Sequence, residues 1–340
     1  CGLGIAKGQT VKALVTGGGG FLGGAIVRRL VDRGWSVRSL QRGHYPALDD
    51  LGVDQVRGDI AVGDTLMKAT EGCESVFRAA AKVDPWGAYK PFHRTNVVGT
   101  ENVLTSMRRN GVPKLIFTST PSVVHSGGDL AGVNESEPYP EHFEAAYPQT
   151  KAMAEMAVLA ANDNQLSTVA LRPRLIWGPE DTNLVPQLIA RARAGQLRLV
   201  GDGSNLVDTV YIDNAVDAHL LAADRLAPGA PCAGRTYFIS NGDPWPMKEI
   251  INGILAAAGL PPEERSVPLA AALAAGAVFE NLHKVFPNRQ GPRMTRFVAR
   301  NFSSAHWFDI SAARRDLDYD PRISIDEGLA RLRAWFEQQD

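Results

Sequence analysis

The chain has 340 residues, of which 44% are hydrophobic and 21% charged, and its formal net charge is −1. Without a basic excess or a polybasic run, it is not expected to bind nucleic acid or an acidic membrane surface. Its three cysteines, Cys1, Cys73 and Cys232, lie far apart, which argues against a disulfide framework or a metal site and favours a reducing cytoplasm.

Short apolar runs alternate with longer helical patterns through the first half of the chain. Residues 1–10 are expected to be an N-terminal extension, followed by a strand over 11–16 and a helix over 21–33. Further strands are predicted over 36–40, 53–57, 75–77, 114–118 and 167–172, and further helices over 63–71, 88–109 and 143–162. This rhythm is typical of the α/β class, with a doubly wound parallel sheet covered by helices on both faces, the Rossmann architecture.

The second half of the chain changes character. Proline and glycine become frequent after residue 178, and the pattern is mostly helical from residue 261. We therefore expect a Rossmann domain over 11–177 and a smaller, mostly helical C-terminal lobe over 178–340, with residues 211–240 returning to the first domain. The longest apolar stretch, 267–279, is shorter than the ~20 apolar residues of a membrane span, so no transmembrane segment is predicted.

A glycine-rich loop follows the first strand and opens the first helix. Gly17, Gly20 and Gly23 have the spacing G-x-x-G-x-x-G, and Phe21 and Leu22 begin the helix. Glycines permit a tight turn and let backbone N–H groups approach a pyrophosphate, which the helix N-terminus also attracts. The loop therefore predicts a dinucleotide site, and the alternative is a glycine turn that binds no ligand.

The end of the second strand bears on which dinucleotide binds. A site selective for NAD usually has a carboxylate here, but this chain has the neutral Gln41 followed by Arg42. A guanidinium suits the 2′-phosphate of NADP(H), so we favour NADP(H) over NAD(H), although Arg42 could instead be a solvated surface residue. After the third strand, Asp59 and Ile60 are expected beside the adenine, with helix capping as the alternative for Asp59.

Tyr147 and Lys151 lie four residues apart at the start of a predicted helix, so they share one helix face. An ammonium near a phenol lowers the pKa of the phenol, and such a tyrosine can exchange a proton with a carbonyl oxygen. The hydroxyl of Thr120, after the fifth strand, is expected to hydrogen-bond the same oxygen, with Ser119 and Ser122 as alternatives. These residues predict an oxidoreductase, with hydride supplied by a nicotinamide.

Together these and further motifs resemble the extended short-chain dehydrogenase/reductase family, in its 3β-hydroxysteroid dehydrogenase-like branch. The resemblance covers nearly the whole chain from residue 11, and its motifs lie at 16–23, 58–59, 78–81, 96–102, 147–151, 172–179 and 211–214. It implies that further residues line the cofactor or support the active site: Ala79, Ala80, Ala81, Asn96, Pro173 and Ile176. Arg78 departs from the family's usual His, and Thr120 from its frequent Ser.

Four stretches, 42–46, 118–123, 171–179 and 199–205, are more similar still to bacterial enzymes of long-chain olefin biosynthesis that reduce 2-alkyl-3-oxoalkanoates. This similarity implies NADPH-dependent reduction of a β-keto acid to the 2-alkyl-3-hydroxyalkanoate. It also implies a homodimer and possible partner enzymes of the same lipid pathway. The alternatives are a 3β-hydroxysteroid or sterol-4-carboxylate dehydrogenase, a nucleotide-sugar epimerase or dehydratase, and a non-catalytic NADP-binding regulator.

A lipid substrate needs an apolar pocket, for which aromatic side chains are the natural walls. The candidates are Trp86, Tyr89, Phe92, Phe143 and Trp177, with core packing as the alternative for each. The substrate carboxylate needs a cation, for which Arg174 is the candidate, with a structural ion pair as its alternative and His125 as the second candidate.

Overall fold

The computed structural model describes residues 12–286 and 291–339, so the extension expected over residues 1–10 lies outside the described residues. The strands in chain order are β1 (Lys12–Thr16), β2 (Ser36–Gln41), β3 (Asp54–Arg57), β4 (Ser75–Arg78), β5 (Lys114–Thr118), β6 (Leu130–Val133), β7 (Ser167–Pro173), β8 (Ile176–Trp177), β9 (Leu199–Val200), β10 (Leu206–Val207), β11 (Val210–Tyr211), β12 (Arg235–Ile239), β13 (Trp245–Pro246), β14 (Ser266–Val267) and β15 (His306–Phe308).

The helices in chain order are α1 (Phe21–Asp32), α2 (Pro46–Asp49), α3 (Gly63–Thr70), α4 (Tyr89–Phe92), α5 (Gly99–Asn110), α6 (Ala146–Ala160), α7 (Leu184–Arg193), α8 (Ile212–Arg225), α9 (Met247–Ala257), α10 (Leu269–Val285), α11 (Arg296–Ser303), α12 (Ser311–Leu317) and α13 (Ile325–Glu337). A π-helical turn, His93–Val98, joins α4 to α5, and a 3₁₀ turn, Pro121–Val124, follows β5. The single helix predicted over 88–109 is therefore α4, the π turn and α5 in series.

A seven-stranded sheet forms the centre of the molecule, in the order β3-β2-β1-β4-β5-β7-β12. Every neighbouring pair in it is parallel. The chain winds from β1 outward to β3, then crosses over to β4 and continues in the opposite direction. The carboxyl ends of β1 and β4 diverge at this reversal, where such sheets hold their ligands. The predicted doubly wound parallel sheet is confirmed.

Strand β1 shows how the sheet is buried on both faces. Ala13 and Val15 belong to a core cluster that includes side chains of α1 and α8, whereas Leu14 belongs to a second cluster with side chains of α3, α5 and α6. This alternation follows from the two-residue period of a strand. Each fully buried aliphatic side chain contributes about 1.5–3 kcal/mol, which explains why the strands are continuous apolar runs.

The later part of the chain adds smaller sheets and helices beside the carboxyl edge of the main sheet. Strands β13, β10, β15 and β6 form a four-stranded sheet, and β11-β8 and β14-β9 are two-stranded. Between them the chain returns to the main sheet, because α8 packs on α1 and β12 pairs with β7. The domain boundaries at 177 and 178 stay predictions.

Helix α10 is the longest apolar helix of this later part. It has 17 residues and packs on α11, where a Cβ on Gly276 would lie 2.8 Å from the backbone nitrogen of Arg296. Its outer face exposes Val278, Leu282 and Val285. Through residues 12–286 and 291–339, no helix combines the length and the apolar content needed to span a bilayer.

Candidate active site

A cavity of about 870 Å³ opens at the carboxyl ends of β1, β2, β4, β5 and β7 and continues between α7, α9 and α11. Its volume is in the range of small-molecule and cofactor sites. Most of the predicted site residues line it: Gly17, Gly20, Phe21, Leu22, Gly23, Gln41, Arg42, Asp59, Ile60, Ala79, Ala80, Ala81, Thr120, Tyr147, Lys151, Pro173, Arg174 and Ile176. The fold therefore brings the glycine loop and the Tyr147 pair into one space.

The glycine loop forms a close turn between β1 and α1. Gly17 has a φ of 78°, a left-handed conformation that a side chain disfavours. A Cβ on Gly23 would lie 2.1 Å from the Gly17 carbonyl oxygen, so only glycine fits there. The α1 N-cap, Gly20, provides no side-chain hydrogen bond, so the first N–H groups of the helix are left for an anionic ligand.

The end of β2 forms the next part of the wall. Gln41 is buried, and its amide is held by the hydroxyl of Ser39 and the side chain of Gln55. Arg42 is exposed beside it and also lines the cavity. The ring of Tyr45 covers Gly19, where an added Cβ would lie 2.2 Å from it. This corner therefore offers the long cationic side chain of Arg42 and the aromatic ring of Tyr45, with no acidic side chain at the end of β2.

Asp59 follows β3 and pairs with Arg94 at 2.5 Å. Partial burial alone would raise the pKa of Asp59, but the Ala61 N–H and the Arg94 guanidinium outweigh burial and hold the pKa below its ordinary value. An ionised Asp59 can accept hydrogen bonds at the cavity wall. Ala80 lines the same cavity, and its N–H donates to the Thr16 hydroxyl at 3.3 Å.

Asn96 is corrected from a cofactor ligand to a supporting residue, because it does not line the cavity. It is fully buried in the π turn, where its amide donates to the Lys82 carbonyl at 3.0 Å and to the Thr150 hydroxyl at 3.1 Å. Its side-chain oxygen accepts from the Lys82 N–H at 2.9 Å. Asn96 thus ties the loop after β4 to α6, the helix that carries Tyr147.

Tyr147 and Thr120 face the cavity together. The Thr120 hydroxyl caps the 3₁₀ turn, accepting from the Ser122 N–H at 3.3 Å. Burial raises the pKa of Tyr147 above its ordinary value of 10.0, against the opposing effects of the Thr120 hydroxyl and the Arg174 charge. Burial is therefore the larger effect on this pKa in the described geometry, and the expected influence of Lys151 stays a prediction.

Lys151 is fully buried beneath the cavity. Its ammonium donates to the Thr118 carbonyl at 2.5 Å and lies 4.2 Å from the centre of the Phe117 ring. Burial and the charge of Arg78 hold the pKa of Lys151 well below its ordinary value. Arg78, buried on β4, donates to the Thr95 carbonyl at 2.9 Å, so this arginine fixes the π turn and places a cation near Lys151.

The helix that bears Tyr147 is fixed to β7 by a buried ion pair. Arg172 donates to Glu155 at 2.6 Å, and Tyr139 donates to the same carboxylate at 2.6 Å. Immediately after this strand, Leu175 has a φ of 40°, which is rare for a residue with a side chain. The sharp turn sends Arg174 and Ile176 into the cavity wall. Such strain is characteristic of functional sites.

The aromatic residues expected in the substrate wall are corrected, because none of the five lines the cavity: Trp86, Tyr89, Phe92, Phe143 and Trp177. Trp177 is fully buried in the core, packs edge-on against Tyr211 and donates to the Thr209 hydroxyl at 3.0 Å. Phe143 packs against the main core cluster. Trp86 packs edge-on against His283 of α10, with ring centroids 6.3 Å apart. In the described structure these side chains pack in the core or at the surface.

The apolar wall comes instead from helices that the sequence did not single out. It includes Leu184, Leu188, Met247, Ile251, Phe297, Val298 and Phe302. Helices α7 and α9 both have an apolar stripe in the sequence, but such a stripe does not distinguish a helix that faces solid core from one that faces a cavity. The sequence therefore showed the apolar stripes of α7 and α9 but did not indicate that they line a cavity.

The sequence also matches known proteins. The model of the 3-beta hydroxysteroid dehydrogenase/isomerase family matches residues 14–269. A 2-alkyl-3-oxoalkanoate reductase of Stenotrophomonas maltophilia is 52% identical over 326 residues, which cover 95% of this chain and 99% of that protein. A protein of the same name from Shewanella oneidensis is 46% identical over 330 residues, covering 95% of this chain and 85% of that protein.

The fold is also similar to that of solved structures. The UDP-glucose 4-epimerase of Thermotoga maritima, solved with UDP-glucose, superposes with a TM-score of 0.74 at 22% sequence identity. The superposition covers 97% of this chain and 99% of that one. At this identity the likeness establishes a shared architecture and carries nothing about substrate.

Proposed function

Because the chain belongs to the 3-beta hydroxysteroid dehydrogenase/isomerase family, whose members are oxidoreductases of hydroxyl and keto groups, we propose that it reduces a 2-alkyl-3-oxoalkanoate with NADPH. The product is the 2-alkyl-3-hydroxyalkanoate. One observation carries the proposal: a single cavity joins the glycine loop, the Tyr147 hydroxyl and a long apolar wall. A carbonyl with two alkyl arms matches this combination of a polar end and apolar walls.

The residues of the chain have separate parts in this reaction. Tyr147 donates its phenolic proton to the substrate oxygen, and Thr120 hydrogen-bonds the same oxygen as negative charge develops on it. The glycine loop would hold the dinucleotide by its pyrophosphate, and when bound the cofactor would supply hydride to the carbonyl carbon. Lys151, held by the Thr118 carbonyl, places its amino group beneath the site. The raised pKa of Tyr147 keeps its proton available at neutral pH.

The residues present fit a dinucleotide, and those at the end of β2 favour NADP(H) over NAD(H). The left-handed turn at Gly17 and the uncapped start of α1 suit a pyrophosphate. Arg42 is exposed and lines the cavity without an ion-pair partner among residues 12–286 and 291–339. A 2′-phosphate would give this guanidinium a charge-assisted partner.

The test is a direct assay of the purified protein. NADPH oxidation is followed with a long-chain 2-alkyl-3-oxoalkanoate, and the product is identified by mass spectrometry because β-keto acids can lose CO₂. We expect a product that retains the carboxyl group and gains two hydrogens. Oxidation of a 3β-hydroxysteroid with NADP⁺ or NAD⁺, without reduction of the keto acid, would support a steroid dehydrogenase. Binding of NADPH without turnover of either substrate would support a non-catalytic regulator.

Two properties of the protein in the cell are proposed with the reaction. We expect a homodimer that pairs residues 88–109 and α6 with their symmetry mates, working with other enzymes of lipid and olefin biosynthesis. We also expect a reducing, cytoplasmic compartment, which is supported by the buried free thiols of Cys73 and Cys232. Sedimentation of the purified protein and fractionation of the source cells test these two expectations.

A further inference from the structure

Arg174 is an unusual cation because it is buried and its partners are all neutral. Only 6% of its surface is exposed, yet it lines the cavity. Its guanidinium donates to the Asn301 side-chain oxygen at 3.3 Å, to the Asn301 carbonyl at 3.4 Å and to His306 Nδ1 at 2.8 Å. The Nε group is buried without a hydrogen-bond partner among the described residues. A buried cation normally has an anionic partner.

The histidines around Arg174 do not provide that anion, nor do they compete with one. Burial and the nearby Arg174 charge lower the pKa of His306, and burial lowers the pKa of His125 to about 4, so both rings are neutral. The two rings pack edge-on, with centroids 4.6 Å apart. His306 accepts from Arg174 through Nδ1, which fixes the direction of the guanidinium.

The nearest acidic influence on Arg174 is Asp208, which does not form an ion pair with it in the described part of the chain. The charge of Asp208 favours the charged form of Arg174 from beyond ion-pair distance. The Asp208 carboxylate accepts a hydrogen bond from the Phe308 N–H at 2.8 Å. Burial raises the pKa of Asp208 to about 6. Burial lowers the pKa of Arg174 only to about 10, so the guanidinium remains charged at neutral pH without a contacting counter-ion.

Arg174 and Tyr147 line the same cavity. We propose that Arg174 binds the carboxylate of the substrate, with His306 and Asn301 holding its guanidinium in place. This inference rests on the proposed function and specifies how a β-keto acid is recognised. In such an acid the carboxylate is separated from the keto carbon by one carbon atom. Binding at Arg174 therefore brings the keto oxygen toward Tyr147 and leaves both alkyl arms for the apolar wall.

The inference is tested by binding as well as by turnover. The probes are a saturated 2-alkyl fatty acid and its methyl ester, titrated below their micelle concentrations into the NADP⁺-loaded protein. The variants are Arg174→Gln, Arg174→Lys and the control Arg331→Gln, which removes an exposed arginine paired with Asp213 and Glu327 outside the cavity. Thermal melting of each variant reports whether it is folded.

We expect the native protein to bind the acid more tightly than the ester. Arg174→Gln weakens binding of the acid about ten- to a hundredfold, as for the loss of a charge-assisted hydrogen bond, and leaves the ester unchanged. Arg174→Lys keeps the charge and retains part of the preference, and Arg331→Gln retains all of it. Equal weakening of acid and ester in Arg174→Gln overturns the inference, as does a preference for the acid that survives in that variant.

Turnover of the matching 3-keto acid and 3-keto ester separates this inference from the proposed function. If the native protein reduces both but Arg174→Gln keeps the preference for the acid, the carboxylate site is wrong and the reductase stands. If the native protein reduces neither but its preference for the fatty acid disappears in Arg174→Gln, the reductase is wrong and the carboxylate site stands.

Discussion

The ammonium of Lys151 donates its short hydrogen bond to the backbone carbonyl of Thr118, not to the hydroxyl of Tyr147. The phenol is thus left to face Thr120 and the cavity, and burial keeps its pKa above 10.0. A phenol with this raised pKa keeps its proton throughout the neutral pH range. The arrangement is therefore suited to reduction, in which the tyrosine gives its proton away.

Replacing Tyr147 with Phe should remove the proton donor and preserve the packing. We expect kcat for reduction to fall about 10²–10⁴-fold, with little change in the Kd of NADPH. In the native protein the reductive rate should decline only as pH rises through the raised pKa of Tyr147, because the protonated form is the active one. Unchanged NADPH oxidation by Tyr147→Phe would contradict the assignment of Tyr147.

Replacing Arg42 with Ala should change cofactor choice. Because Arg42 lines the cavity beside a site without a carboxylate, its loss should raise KM for NADPH about tenfold or more and leave KM for NADH within a small factor. Arg28→Ala is the matched control, since Arg28 is an exposed arginine paired with Glu180. An equal loss for both cofactors would remove Arg42 from the 2′-phosphate site.

His219 should make stability depend on pH. Its Nδ1–H donates to the Ala215 carbonyl at 2.7 Å, and its Nε2 accepts from the Thr118 hydroxyl at 2.8 Å. Burial lowers its pKa from 6.5 to about 4. The unfolded chain therefore binds the proton first, so the contribution of His219 is complete above pH 6.5 and is lost as pH falls toward about 4.

The size of this effect follows from the shift, which corresponds to about 3 kcal/mol of unfolding free energy. We expect His219→Gln to be less stable than the native protein at pH 7 and to lose less stability on acidification. Chemical denaturation at several pH values measures both. The effect of the other buried histidines cancels in the comparison. Parallel pH profiles for the two proteins would show that His219 is not the titrating group.

The ion pair between Arg172 and Glu155 should matter to stability because both side chains are buried. Removing one partner leaves the other charge without compensation, so Glu155→Gln should lower the free energy of unfolding by about 3–5 kcal/mol. The double variant Arg172→Met with Glu155→Leu should recover much of this loss. Denaturant titration of the native protein and the two variants gives the comparison, and a loss under about 1 kcal/mol in Glu155→Gln would be too small for an uncompensated buried charge.

Parts of the molecule that depend on local chemistry could be predicted from the sequence. The parallel sheet follows from apolar runs separated by helical periods, and the fold and the family resemblance are both confirmed. The glycine loop was recognisable because the constraints that exclude a side chain there are local. Gly17 has a positive φ, and a Cβ on Gly23 would clash with the Gly17 carbonyl oxygen. The expected roles of individual site residues stay predictions.

What the sequence could not provide depends on contacts between distant segments. Trp177 was expected in the substrate wall, but it donates to Thr209 in the core, a partner brought near by the pairing of β8 with β11. The pKa of Tyr147 was expected to fall because Lys151 lies four residues away, but partial burial raises it. The neutral surroundings of Arg174 come from His306, 132 residues along the chain.

Replacing Gly23 with Ala tests whether the glycine loop binds the cofactor. The new Cβ would lie 2.1 Å from the Gly17 carbonyl oxygen, so the loop must shift away from the start of α1. Because the first N–H groups of α1 and the Gly17 turn would no longer converge, we expect the Kd of NADPH to rise at least tenfold and the thermal stabilisation by NADPH to disappear. Gly63→Ala, where a Cβ meets nothing closer than 3.8 Å, is the control and should bind NADPH normally. If Gly23→Ala is folded and binds NADPH as tightly as the control, the dinucleotide must bind elsewhere in the cavity.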